Sequence, residues 1–250
     1  METTTKQGCF TSSLMNAGTR PYKDVKNLLS NGDSNAKTAK NERSTLILYL
    51  SPAKQNSKGI NLCPKASNGC LFACLYTSGH GKLNSVQLAR INRTEYYLHD
   101  RFKFLEQTAT EINKAAKKIK TELAVRLNGT SDIKLVEQLV SMYDIESNVV
   151  FYDYTKIPNK AGTKFLPSLH KYVVCFSRAE DNEADALKVL ESGGIVSAVF
   201  ADKLPEFWNG YKVLDGDERD DLMLDVVGPC VLGLKAKGDG RKDLSGFVIR

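Results

Sequence analysis

The chain has 250 residues, of which 42% are hydrophobic and 26% charged, and it carries a formal net charge of +6 at pH 7. Those totals describe one large globular domain or two small ones, and they exclude a low-complexity or repetitive chain. No run of about 18 apolar residues occurs, which excludes a membrane-spanning helix, and the polar start Met1–Lys6 has no signal-peptide core, so a reducing cytoplasm is expected.

Residues 1–43 are polar and punctuated by Gly8, Gly18, Pro21 and Gly32. They hold too few apolar residues for a core and read as an N-terminal arm or cap, with a short helix over Asp24–Leu29. The remainder, 44–250, reads as a single domain. Ser44–Leu50 is an apolar, β-leaning run that ends at Ser51-Pro52, the pattern of a buried strand.

The segment that follows carries the strongest chemical signal. Cys63, Cys70 and Cys74 are three of the six cysteines and lie among Gly69, Gly79, His80 and Gly81. Three thiols cannot all pair with one another. A [4Fe–4S] cluster with one iron left open fits three thiolates on a flexible loop. Zinc fits if His80 or Cys9 completes the set. Three buried thiols packing as small hydrophobes is the third reading.

From Asn84 to Lys120 the apolar spacing is helical, with a helix start at Thr94-Glu95. Arg90 and Arg93 share a face, close in sequence to the cysteines, and are candidates for an anion. The lysines at 114, 117, 118 and 120 read as a solvated helix face. Strands and helices then alternate: strand Leu123–Asn128, helix Ile133–Tyr143, strand Asn148–Asp153, strand Tyr172–Ser177, helix Glu183–Glu191 closed by Gly193-Gly194, then strands Ile195–Phe200, Tyr211–Leu214 and Cys230–Leu234. Continuous apolar strands alternating with helices predict an α/β fold. The sheet is expected to be mostly parallel and covered on both faces, as a partial or distorted (β/α) barrel or an open doubly wound sheet.

In such folds chemistry gathers at the C-terminal strand ends. The polar residues there are Arg126, Asn128, Gly129, Ser131 and Asp132, then Asp153 and Lys156, then Ser177 and Arg178, and finally Lys235. Asp153 and Asp132 are the acid–base candidates. Asn128, Gly129 and Ser131 are candidates for holding a cofactor, with Arg90, Arg126, Lys156, Ser177, Arg178 and Lys235 for an anionic group. Asp215–Asp225 reads as a solvated acidic turn that Lys235 and Lys237 can pair with. Cys175 and Cys230 lie inside apolar strands and read as core.

The string Asn61–Gly81 resembles the signature of the bacteriophage gene product 88 family. So do Ala89-Arg90-Ile91, Asn128-Gly129-Thr130-Ser131-Asp132, Tyr152-Asp153-Tyr154-Thr155-Lys156, Asp215-Gly216-Asp217 and Leu234–Gly238. The resemblance runs from about Asn35 onward and implies phage origin and a place in the host cytoplasm. A looser similarity of layout is to radical S-adenosylmethionine enzymes: a strand, three cysteines, a helix, a strand, then a polar Gly-containing turn. The C-x6-C-x3-C spacing departs from the C-x3-C-x2-C of that superfamily. The second resemblance implies a [4Fe–4S] cluster, S-adenosylmethionine and an enzyme acting on a nucleotide or nucleic acid. The alternative expectation is a zinc- or cluster-stabilised protein that binds nucleic acid or a host protein, with no membrane involved.

Overall fold

A computed structural model of the chain describes residues 22–23, 25–32, 42–74, 79–166 and 170–250. In chain order the elements are β1 (Leu29–Asn31), β2 (Ser44–Leu48), α1 (Asn68–Phe72), α2 (Asn84–His99), α3 (Arg101–Ala116), β3 (Leu123–Arg126), α4 (Leu135–Met142), β4 (Val149–Thr155), β5 (Gly162–Phe165), β6 (Lys171–Ser177), α5 (Glu183–Glu191), β7 (Ile195–Phe200), β8 (Phe207–Trp208), β9 (Tyr211–Asp215), β10 (Cys230–Lys235) and β11 (Val248–Ile249). They form one mixed sheet in the order β1-β2-β3-β4-β6-β7-β10-β9-β8, with β5 added to β6 and β11 to β7. From β2 to β9 along that path every pairing is parallel. The sheet is open, with β1 and β8 at its ends, rather than closed into a barrel.

Side-chain alternation sorts the two faces. Leu123 and Val125 of β3, Val149 and Phe151 of β4, and Tyr172 and Val174 of β6 pack with Phe104, Leu105, Ile112 and Leu139 of α3 and α4. On the same face Phe176, Val196, Ala198 and Val231 meet Ala186, Val189 and Leu190 of α5. The described helices that pack on the sheet therefore share one face. This corrects the expectation of helices on both. Its reason is strand order: β2, β3, β4, β6, β7 and β10 follow one another without a reversal, and right-handed crossovers that step in one direction stay on one side.

The opposite face is covered by a short segment instead of a helix. Ala124, Tyr152, Val173, Cys175, Ile195, Cys230 and Leu232 pack against Met223 and Leu224, in a 3-10 turn at Leu222–Leu224. Charge fixes this plug. Arg43 grips Asp225 at 2.7 Å and Glu122 at 2.9 Å, and Arg219 joins Asp221 at 2.9 Å to Asp225 at 2.6 Å. Lys171 donates to the Leu224 carbonyl at 2.9 Å. The acidic segment expected to be a solvated turn is thus partly interior, with Asp220 and Asp221 buried. Its far end does pair as expected, Lys237 with Asp217 at 2.7 Å.

Other local expectations are corrected. Residues 25–28 are not helical; β1 follows them and pairs antiparallel with β2. Thr94 lies inside α2, where its hydroxyl donates to Arg90 O and accepts the Ser51 N–H, and the true break is at Asp100, which caps α3 through Lys103 N. Tyr22 stacks on Tyr96 at 4.9 Å, and Leu28 and Leu29 donate to Glu111. The rest of the expected arm, at 1–21, 24 and 33–41, lies outside the described residues, as does Cys9. No described helix is long and apolar enough to cross a membrane.

The Arg43 hydrogen bond is the first cause that holds the Asp225 carboxyl at about 2, below its ordinary 3.8. A carboxyl depressed on folding stabilises the fold above its unfolded value and loses that contribution as pH falls through the folded one. The stability advantage of the parent over Arg43→Ala is therefore expected to be full above about pH 4 and to shrink towards pH 2. Urea unfolding at several pH values measures it.

Candidate functional site

The cysteine loop lies across the C-terminal ends of β2, β4 and β6. Cys63 is held by the Ala53 N–H at 3.4 Å and reaches Thr130 O at 3.6 Å. Thr130 in turn donates to Leu50 O, and Asp132 N donates to Leu62 O at 2.8 Å. Cys70 sits in α1, whose first turn is capped by Ser67. Glu180, beyond the end of β6, accepts from both Ser67 Oγ and Gly69 N at 2.7 Å. A Cβ on Gly69 would stand 2.5 Å from Phe247 Cβ, so only glycine lets α1 approach this closely.

The three thiols sense one another. Burial pushes the Cys63 thiol up to about 12; the Ala53 N–H opposes this, and Cys74, Cys70 and Asp132 add to it. Burial also raises Cys70, against an opposing Lys156. Lys156 is the cation of the group: its Nζ donates to Ser177 Oγ at 2.8 Å and to Ser177 O at 3.3 Å, and it lies over the Phe247 ring. Three thiols on one loop with an ammonium beside them fit a thiolate-bound metal group in donor chemistry. Among the described residues no three His, Cys, Asp or Glu side chains are gathered closely enough to hold a single ion.

The residues marked as acid–base candidates have other partners. Asp153 lies on the helix-covered face, where it accepts the Asn128 N–H and Asn128 Nδ2 at 2.9 Å each and the Tyr172 hydroxyl at 3.1 Å. Burial raises its carboxyl to about 6 against the opposing Asn128 bonds. Asp132 accepts from Thr155 Oγ1, Lys156 N and, at 2.8 Å, the buried Lys160 ammonium. Asn128 Oδ1 accepts from Ser131 Oγ and Ile133 N, so this turn is satisfied within itself. A Cβ on Gly129 would meet Leu48 O and the Tyr49 ring at 2.7 Å, which explains the glycine.

The cationic candidates divide between the two faces. Arg126 points to the face opposite the helices, 3.0 Å from Asp220, which also accepts the Tyr152 hydroxyl at 3.0 Å. Its guanidinium lies over the Tyr154 ring at 4.7 Å, and its buried Nε has no hydrogen-bond partner. Arg90 covers the Tyr49 ring, while Arg93 turns to Asn27 O, away from the cysteines. Arg178 ties β6 to the C-terminal segment through Gly246 O and Phe247 O, and to the start of α5 through Glu183. Lys235 stands 3.8 Å from Asp215. Sequence reasoning missed Glu180, Tyr154 and Asp220. The period-two series Tyr152, Tyr154, Lys156 was the one signal available for the tyrosine beneath Arg126.

A family model described as gene product 88 matches residues 27–250. The chain belongs to the gene product 88 family. No curated protein and no solved structure matches it. The match takes in the cysteine loop, the parallel sheet and the plug, so these are features of a gene product 88 protein and not of an appended segment.

An acid whose folded value is raised makes the fold more stable at low pH and less so as pH rises through that value. For Asp153 the shift from 3.8 to about 6 corresponds to about 2–3 kcal/mol between pH 4 and pH 7. The stability of the parent relative to Asp153→Asn is expected to improve by that amount as pH falls across the range, measured by chemical denaturation.

Proposed function

We propose that this gene product 88 protein is an enzyme that holds a [4Fe–4S] cluster on Cys63, Cys70 and Cys74 and acts on a phosphate-bearing substrate. The observation that supports the reading is the placing of three partly buried thiols on one loop, with Lys156 beside Cys70, at the C-terminal edge of parallel strands. The layout similarity to radical S-adenosylmethionine enzymes supports the reading through the order strand, three cysteines, helix, strand, although the sheet here is open. S-adenosylmethionine is the co-substrate that this similarity suggests.

When bound, such a cluster supplies one-electron reduction and one iron without a protein thiolate. The chain's own residues do the rest. The Lys156 ammonium offsets thiolate charge beside Cys70 and holds the Ser177 hydroxyl in place. Arg126, Tyr154 and Ser177 place polar groups on the face that no described helix covers, with the Arg126 guanidinium held by Asp220 and over the Tyr154 ring. Asn128, Gly129, Ser131, Asp132 and Asp153 shape the loops and act as positioning residues. Glu180 fixes the turn that presents Cys70.

A second reading, a zinc- or cluster-stabilised protein that binds nucleic acid or a host protein without catalysis, is favoured by one observation. Two clefts lie around the C-terminal segment, outside the cysteine loop.

Anaerobic purification with iron, sulfide and zinc analysis separates the two. The expected result is a brown protein with about four irons and broad visible absorbance, both reduced in Cys63→Ala, Cys70→Ala and Cys74→Ala. One zinc and no colour favours the second reading. A folded protein without metal after reconstitution removes both.

A further inference from the structure

Two clefts meet at Arg250. One, of about 380 Å³, is lined by Lys203, Lys235, Arg241 and Arg250, with Asp202 as its acidic member and Ala201 and Ala236 as its floor. The other, of about 440 Å³, runs from Arg250 past Leu244 to Arg178 and Trp208. The two carboxylates of the second cleft are occupied. Glu183 pairs with Arg178 at 2.9 Å, and Asp243 accepts from Ser245 and from Val248 N. Of the cations of the first cleft, Lys235 stands 3.8 Å from Asp215, and the two arginines are held in place by backbone. Arg241 Nε donates to Ala236 O at 3.3 Å, and Arg250 donates to Asp243 O at 2.9 Å and to Arg241 O at 3.3 Å. Among the described residues neither guanidinium meets a carboxylate, so both keep charge for a ligand.

We propose that these two clefts, which share Arg250, act together as one furrow that binds a nucleoside phosphate, either free or within a single strand, with phosphate at Lys203, Lys235, Arg241 and Arg250 and the base against Trp208. Guanidinium groups fixed by carbonyls lose little freedom on gripping phosphate, and a half-buried indole offers a stacking face that tolerates any base. The furrow adjoins the cysteine loop. Ala201 and Ala236 pack in the same cluster as Cys70 and Ala73, and Gly240 stands so close that a Cβ there would lie 3.3 Å from Ala73. Phosphate in the basic cleft is thus separated from α1 by one layer of small side chains. A nucleoside phosphate is then the substrate class of the proposed function, and its catalytic meaning rests on that reading, though binding itself needs no metal.

Trp208 is the only tryptophan, so its fluorescence reads the furrow alone. The test titrates the full chain, metal-loaded and as Cys70→Ala, with a twelve-nucleotide single strand, a mononucleotide and inorganic pyrophosphate at two salt concentrations. Expected is quenching by the single strand or the mononucleotide, weakened at least tenfold in Lys203→Glu and in Arg241→Glu. The salt slope should fall by about one for each phosphate-binding cation removed. Tighter binding of the twelve-mer identifies a strand as the source, and equal binding identifies the free nucleotide. Pyrophosphate is expected to compete without quenching, because it carries no base. No quenching by either the single strand or the mononucleotide, an absence of all binding at low salt, or full affinity in both charge-reversal variants overturns the proposal. Quenching that persists in Cys70→Ala sustains the furrow independently of the cluster.

Discussion

Carboxylates organise the C-terminal edge of this sheet, Asp132 and Asp153 buried and Glu180 half-buried. Asp153 binds the turn after β3 to β6, Asp132 binds that turn to the loop after β4, and Glu180 binds α1 to the end of β6. Asp220 does the same on the opposite face, between Arg126 and Tyr152. A carboxylate removed from water is costly unless several donors meet it, so each of these positions fixes two or three chain segments at once. The cysteine loop has little regular structure of its own. It owes its position to these anchors, because α1 is five residues long and cannot hold itself.

The same economy explains the division between the two faces. Sequential parallel strands send the helices that pack on the sheet to one side and leave the other to be filled by whatever the chain can supply. Here the filler is the segment around Met223 and Leu224, tied down by Arg43 and Arg219. It covers the N-terminal half of the strands. Towards the C-terminal half the inward series runs Arg126, Tyr154, Ser177 and Ser197, polar side chains with no helix above them. The polar half-face, the thiols and the basic clefts therefore share one end of the molecule.

Several site candidates have partners within the fold on these grounds. The run Asn128-Gly129-Thr130-Ser131-Asp132 resembles a ligand loop in composition, yet its hydrogen bonds close within the fold. Polar turns that bind ligands and polar turns that bind themselves use the same residues, and only the partners distinguish them. Asp153 differs from Arg126 for a simpler reason. Successive strand residues face opposite ways, so a strand-end aspartate can lie under helices while an arginine one strand over lies in the open.

By itself the sequence determined the α/β class, most strand positions, the α5 stop at Gly193-Gly194 and the clustering of three thiols, because apolar runs, helical spacing and cysteine separation are local quantities. It also carried the family, through strings that remain recognisable wherever they fold. It missed β1, β5, β8 and β11, which are short and lack an apolar run of their own. Tertiary structure alone decided that the described helices on the sheet take one face, that the acidic segment becomes a plug, and that Glu180 grips α1 across more than a hundred residues. It alone joined Lys203, Lys235, Arg241, Arg250 and Trp208 into a furrow. Those contacts depend on strand order and register, which set neighbours far apart in the chain and leave no periodic trace in it.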